Sequence, residues 1–525
     1  MATAVEDRQT PARTRPSAGS PRRALAAAAV AAAVTLVAWQ TGDWWDTGGA
    51  SRNLTVARAL IFGTVFGLAW CIVPLVRRSG RIERVVFVAW TVYLGLWLAA
   101  IWPGLVVPDT MEVVSRARLG VVYEWFSYLH SVLNVMVLDL VPHVATFGVL
   151  QALGTAALMA FASSVLLEWR RNVPAVVAMN LVAALSAPVV ANSLLYSRDT
   201  IYTLVQVALA LYVARAVVLR RTLPPAGLAG IALAVGFLSV YRSDGIALLA
   251  CVPLVLLLLR PSRRAAGLGA AAFAGAARLF GVLLPATMTL GEEDPHAYAL
   301  SLRINPLGAV LNTDFNSPDK AADLAALGRV IDVEGVRQLH TPADIPAFWQ
   351  NRWNRQASEA DFAAFTSTAD RLILENPRIV LRNRMEVFGT ASGLGGGQFT
   401  LPYGELDAGH RWVPPEGLAA SPPSQELKDG AIRVAAYTSE YTGRVSLHSA
   451  LHWNLLPWLA LLAGALLGFR RFPLQAVVAV VILCRVPLVF LFAPAAQYKY
   501  YYAVELGGIV VLGLLLAHVR FKRAR

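Results

Sequence analysis

Asp109 is the residue best placed for acid–base chemistry. It closes the stretch Trp102-Pro103-Gly104-Leu105-Val106-Val107-Pro108-Asp109-Thr110, directly after a long apolar run. Pro103 and Pro108 interrupt a helix, and Gly104 loosens the backbone between them. A carboxylate held there sits close to a hydrocarbon boundary, where partial desolvation favours its neutral form and raises its basicity. A general base needs that placement. A helix cap or a solvated loop acid is the competing reading of this residue taken alone.

Four further points share that depth. Arg198-Asp199 follows Tyr196 at the start of an apolar run, and Tyr241-Arg242-Ser243-Asp244-Gly245 joins two others. His130 lies within the apolar stretch Trp125–Val141, and Gln497-Tyr498-Lys499-Tyr500-Tyr501-Tyr502 opens the last run. Ionisable residues at membrane depth are costly and commonly functional. The alternatives are a helix cap for Asp199, an aromatic belt for the tyrosines and a snorkelling Lys499. Arg278, inside another run, is the one charge read as standing mid-span. There is no clear metal-ligand cluster; a divalent metal at Asp199 stays open.

The elements that must carry these residues follow from composition. The chain has 525 residues, 56% apolar and 15% charged. Its apolar residues fall in about twelve blocks, and a helix needs roughly 20 apolar residues to cross the hydrocarbon core. The blocks are Ala24–Gln40, Val56–Val76, Val85–Val107, Val144–Leu167, Val173–Leu195, Thr200–Leu219, Leu223–Val240, Gly245–Leu259, Ala265–Leu290, Leu447–Phe469, Leu474–Phe492 and Ala503–Val519. Backbone groups in lipid must bond internally, so each block must be helical. The expected fold is an all-α polytopic membrane protein with about 12 transmembrane helices.

Charge sets the expected sidedness. The N-terminal tail and every second joint hold half of the 46 basic residues but only four of the 33 acids, Glu6, Asp7, Glu83 and Glu168. That alternation is the positive-inside pattern and predicts N-in/C-in topology. It explains the net charge of +13 without nucleic acid, for which no fold or motif stands out. Counting Trp125–Val141 as a span would reverse every later joint, so it is expected to lie in the interface or to re-enter from outside. The expected organisation is a disordered cytoplasmic tail over 1–23 and nine transmembrane helices over 24–290, with a first extracytoplasmic loop at 103–143. An extracytoplasmic loop domain follows over 291–445, then three helices over 446–519 and a cytoplasmic tail at 520–525. Only four lysines against many Ala, Arg, Val and Leu suggest a GC-rich bacterial genome, hence a bacterial plasma membrane.

The loop domain reads as mostly helical, with candidate helices over Pro318–Leu327, Ala343–Asn354, Glu359–Leu374 and Arg378–Phe388. Asn376-Pro377 reads as an N-cap followed by a first-turn proline. Arg378–Phe388 mixes apolar residues with arginines, as an interfacial helix does. His296, Arg303 and Asn305 are expected to line the site. From Ser392 to Ser424 the chain is Gly- and Pro-rich loop.

These motifs, in this order, resemble the GT-C superfamily of polytopic glycosyltransferases, and more closely its bacterial protein-mannosyltransferase-like group. The resemblance runs over about residues 85–519. Pro103-Gly104, Asp109-Thr110, Gly120 and His130 match that group's first outside loop, with Leu129-His130-Ser131 where it has a His-Pro pair. Arg198-Asp199 stands for its Lys-Asp pair, Arg242-Ser243-Asp244-Gly245 for its Arg-x-Asn-Gly joint, Glu375-Asn376-Pro377 for its Lys-Asn-Pro step, and Lys499-Tyr500 for its Arg-Tyr pair. The resemblance implies transfer of a sugar from a polyprenyl-phosphate donor to an extracytoplasmic acceptor at the membrane lipid boundary. Asp109 would be the base, Arg242 and Lys499 would meet the phosphate, and Arg198, Asp199, His130 and Tyr500 would complete the substrate site. Asp199 would hold a divalent metal or orient Arg198. A transporter or flippase and a non-catalytic envelope assembly protein are the alternatives from other classes.

Overall fold

The computed structural model describes residues 21–40, 51–106, 108–118, 121–122, 127–220, 223–259, 263–291, 295–394, 401–402, 424–438 and 452–518. Among them the chain is almost wholly helical. The only sheet among the described residues is a two-residue antiparallel ladder, Leu105–Val106 against Leu401–Pro402. Six helical stretches are long and apolar enough to cross a membrane: Arg81–Ala100, Ala145–Arg170, Arg198–Leu219, Gly269–Thr287, Pro473–Phe492 and Tyr498–Leu516. Tyr128–Leu140, Pro225–Tyr241, Ser243–Leu258 and Leu456–Leu467 are apolar but shorter.

Three elements depart from the sequence reading. The block expected as one helix over Val173–Leu195 is two, Val173–Leu185 and Ala187–Leu194, bent by 70°. Pro188 cannot donate to a continuing helix, and Ser186 restarts the chain by accepting a hydrogen bond from Val189 N at 3.2 Å. The expected helix over Ala343–Asn354 shrinks to the single turn Pro346–Trp349, followed by Asn351 at φ 54°. Asn376 takes the N-cap position with Pro377 in the first turn, as expected, but its side chain makes no cap hydrogen bond. Its side chain instead bonds both backbone groups of Asn316 (2.7 and 3.0 Å) and Leu372 O (2.8 Å), tying two connections together. The expected helix over Pro318–Leu327 appears as Lys320–Gly328, that over Glu359–Leu374 as Glu359–Glu375, and that over Arg378–Phe388 as Pro377–Ala391.

The described residues form two cores. The larger gathers the bundle helices; the smaller belongs to residues 295–380 and centres on Leu300, Leu307, Val310, Phe365 and Leu372. Helix Pro377–Ala391 belongs to both. Ile379 and Val380 pack on the smaller core, while Val387 and Ala391 are buried in the larger. Its outward face carries Leu381 and Met385, each 56% exposed, among exposed Arg378 and Arg382.

Candidate functional site

Contacts along Tyr502–Leu516 order the two ends of the bundle. Tyr502 Oη lies 3.4 Å from Ser193 Oγ, Ser186 Oγ donates to Glu505, a Cβ at Gly513 would meet Met179, and Asn172 Nδ2 donates to Ala517 O at 3.4 Å. This helix therefore runs antiparallel to the bent pair. Arg198, Asp199 and Lys499 lie at one end; Arg170, Arg171 and His518 lie at the other.

Local chemistry builds the first end. Ser197 Oγ accepts from Asp199 N (3.2 Å) and so caps helix Arg198–Ala214, leaving the Asp199 carboxylate free of that duty. Helix Pro225–Tyr241 stops at Arg242, and residues 243–246 form one tight 3-10 turn. Gly245 is required there, because a Cβ would stand 2.0 Å from Leu238 O. The result is a buried chain of alternating charge. Asp199 pairs with Arg242 Nη1, Arg242 Nε donates to Asp244 Oδ1 (2.8 Å), and Asp244 Oδ2 faces Arg485 Nη2 (2.7 Å). None of the four side chains is more than 10% exposed. Arg485 also donates to Tyr500 O (2.8 Å) and Gln206 Oε1 (3.4 Å), and its guanidinium lies 4.4 Å over the Tyr202 ring. Arg242 lies 5.1 Å over Tyr500. Removing four charges from water is expensive, and only tight mutual pairing makes it tolerable.

His130 joins this network from helix Tyr128–Leu140. Its Nδ1 is hydrogen-bonded to Tyr241 Oη (2.9 Å), its ring centre is 6.0 Å from that of Tyr196, and the charges of Arg198 and Lys499 both act on it. Arg198 acts on Arg242 and Asp244 as well. A bidentate bridge from Arg58 to buried Asp139 (3.0 and 3.1 Å) anchors the helix that carries His130 to helix Ser51–Arg78. Six of the seven expected residues thus share one neighbourhood: His130, Arg198, Asp199, Arg242, Lys499 and Tyr500.

The side chain of Asp109, the seventh, lies outside the described residues; its backbone opens helix Pro108–Arg118. The approach to it is described. Leu105 bridges in parallel to Leu195, and Tyr196 N donates to Leu105 O (2.8 Å). Gly104 permits this with φ +131°, and a Cβ there would press on Leu194 O at 3.3 Å. Four residues span at most about 14 Å, so Asp109 starts its helix within that reach of the strand beside Tyr196–Asp199.

Asp199 pairs with Arg242, and among the described residues no group of three or more His, Cys, Asp or Glu converges as a metal site. Other expectations change. His296 stacks on Phe362 and meets Glu359, Arg303 pairs with Asp370, and Asn305 bonds Arg384, so all three serve the smaller core's surroundings rather than the site. Tyr298 does reach it, donating to Ser243 Oγ at 2.9 Å. Arg278 is not the only charge within an apolar block: Arg485 and Glu505 are buried in two others. Glu505 accepts from Tyr498 Oη (2.5 Å) as well as from Ser186. A charge interrupting an apolar run was the available signal for both.

The smaller unit is fastened to the site's frame. Arg384, 2% exposed, donates from Nη1 to Ala493 O (2.8 Å), from Nη2 to Asn305 and to Asn383 Oδ1 (2.7 Å), and from Nε to Asn383 Oδ1 (3.2 Å). Ala496 N donates to Ala343 O (2.9 Å). Both ties grip the segment between Arg485 and Lys499. No family model, curated protein or solved structure matches the chain, so its function is argued from residues and geometry.

Proposed function

We propose that this chain is a polytopic membrane glycosyltransferase that moves a sugar from a polyprenyl-phosphate donor to an acceptor hydroxyl outside the cytoplasm. One observation carries the reading: among the described residues, four cations (Arg198, Arg242, Arg485, Lys499) and two carboxylates (Asp199, Asp244) gather at one end of an apolar bundle, beside the strand that leads to Asp109. A scaffold has no use for so costly a cluster.

In the proposed reaction, Asp109 accepts the proton of the acceptor hydroxyl. That oxygen attacks the anomeric carbon, the bond from this carbon to the phosphate oxygen breaks, and configuration inverts. Polyprenyl phosphate leaves with the electron pair, its charge met by Arg242 and Lys499. Arg is the better two-point partner for phosphate and Lys acts as a point charge. Asp199 and Asp244 fix Arg242 in place, and Arg485 fixes Asp244. The unit fastened through Arg384 covers this end and selects the acceptor, with helix Pro377–Ala391 resting its Leu381–Met385 face on the outer leaflet.

The proposal includes about twelve spans with both termini in the cytoplasm. The gathering of Arg170, Arg171 and Arg471 at the end away from the site supports it. Reporters fused after Arg84, Arg171 and Arg471 should read cytoplasmic, and those near Ser243 and Pro415 outside; an outside signal after Arg171 would reverse the scheme.

The function is tested with purified protein and a panel of radiolabelled polyprenyl-phosphate sugars in liposomes. Label appearing in acceptor, with release of polyprenyl phosphate, is expected. Arg485 and Glu505, buried inside apolar helices, favour a second reading as a transporter or flippase. Movement of intact labelled lipid across the bilayer without cleavage would establish that instead, and neither outcome would leave an assembly protein.

A further inference from the structure

The end of the bundle away from the charge cluster carries a second, differently built group. Helix Ala145–Arg170 ends in Trp169-Arg170, helix Pro473–Leu483 is preceded by Arg471-Phe472, and His518 follows helix Tyr502–Leu516. These five side chains form a continuous arc. The Arg170 guanidinium lies 5.2 Å from the Trp169 ring centre, Trp169 lies 5.8 Å from His518, His518 lies 5.4 Å from Phe472, and Arg471 lies 5.4 Å from Phe472. Gln475 Nε2 donates to Leu514 O (3.1 Å) and contacts His518 Nε2 at 3.2 Å. An amide nitrogen is only a donor, so His518 Nε2 accepts and the ring's proton sits on Nδ1. His518 is therefore a pinned donor between two flanking cations.

We propose that this arc binds the phosphate of an anionic phospholipid headgroup in the leaflet at this end of the bundle. Three further observations favour a lipid. Arg170 and Arg471 are both exposed, and both act electrostatically on His518, whereas among the described residues no carboxylate does. The acid next in sequence, Glu168, is engaged by Arg215 (Nε to Oε2, 2.6 Å). Beside Arg470 and Arg471 the apolar Leu467 and Phe469 are 85% and 56% exposed, a surface that suits acyl chain rather than water. The sequence beyond His518 adds Arg520, Lys522, Arg523 and Arg525 with no acid. Basic pockets between helix ends take acidic headgroups by this chemistry. The proposal is independent of the glycosyltransferase reading, since it concerns the opposite end.

The test is native mass spectrometry and thermal melting of the purified full chain with phosphatidylglycerol, phosphatidylcholine or inorganic phosphate. Phosphatidylglycerol should bind and raise the melting temperature of the wild type, and phosphatidylcholine should not. Each guanidinium at an anionic surface contributes about fivefold, so R170Q/R471Q should bind roughly thirtyfold more weakly. R170K/R471K, which keeps the charge that governs insertion, should retain most of the binding. H518F keeps the edge-to-face ring contacts without the donor and should show an intermediate loss. Equal binding of both phospholipids, an unchanged response in R170Q/R471Q, or full reproduction of the effect by inorganic phosphate would overturn the lipid assignment.

Discussion

Two regions of this molecule use arginine–carboxylate pairs in opposite ways. In the helical unit over 295–391 most pairs lie at the surface, Arg371–Asp323 with its buried carboxylate being an exception. Arg303 grips Asp370 with two bonds of 2.7 and 2.8 Å, yet Asp370 is half in solvent, and Arg329–Asp361 and Lys320–Asp314 are more open still. Exposed pairs of this kind contribute about 0.2–1 kcal/mol. At the end of the bundle Asp199, Arg242, Asp244 and Arg485 are almost wholly buried. Well-packed apolar side chains in their place would often be as stable or more so, whereas breaking one pair typically costs about 3–5 kcal/mol. An arrangement so poor as a source of stability and so sensitive to damage is a reason to look for function in the second region. Arg384 stands between the two cases, buried but bonded only to neutral oxygens among the described residues.

The contrast can be broken or sharpened by substitution. The largest effect is expected at Asp109. Asp109→Asn should lower transfer about a hundred- to ten-thousand-fold while the melting curve stays put, because the amide keeps the carboxylate's size and most of its hydrogen bonding. Near-normal turnover would remove Asp109 as the base.

Arg485→Met should follow, leaving Asp244 buried with one partner fewer and costing about 3–5 kcal/mol. Melting of the detergent-solubilised protein reads this, and adding Asp244→Asn should recover a large part. If the double variant were no better than the single, the two residues would not be acting as a pair.

Arg384→Gln is expected to be milder, about 1–3 kcal/mol for the oxygens it leaves unsatisfied. Because Arg384 joins the two cores, the loss should show as faster hydrogen exchange over 295–391 before the bundle loosens. Uniform acceleration across the chain would argue against a local fastening.

Arg303→Ala completes the series at about 1 kcal/mol or less. A melting shift as large as that of Arg485→Met would erase the distinction between the regions.

Much was determined by the sequence alone. Hydropathy sums over a local window, so an apolar helical chain was legible without contacts. The prolines and glycine before Asp109, and charges recurring at the starts of apolar runs, led to the expectation that His130, Arg198, Asp199, Arg242, Lys499 and Tyr500 share one depth; the described residues hold six helices of spanning length and gather these side chains at one bundle end. Arg485 and Glu505 were missed in the sequence, although each is a charge within an apolar run. Partnership was decided only by tertiary structure. Which carboxylate meets Arg242, that Asp244 reaches Arg485 far along the chain, that the Asn376 side chain ties loops rather than making a cap hydrogen bond, and that Arg384 fastens one core to the other all depend on how each helix is rotated and where it bends. The 70° break at Ser186 needed Pro188 locally, but its consequence, Ser186 donating to Glu505, needed the last helix to pack alongside. Composition and spacing set how deep a residue lies; only packing sets which way it faces and what it meets.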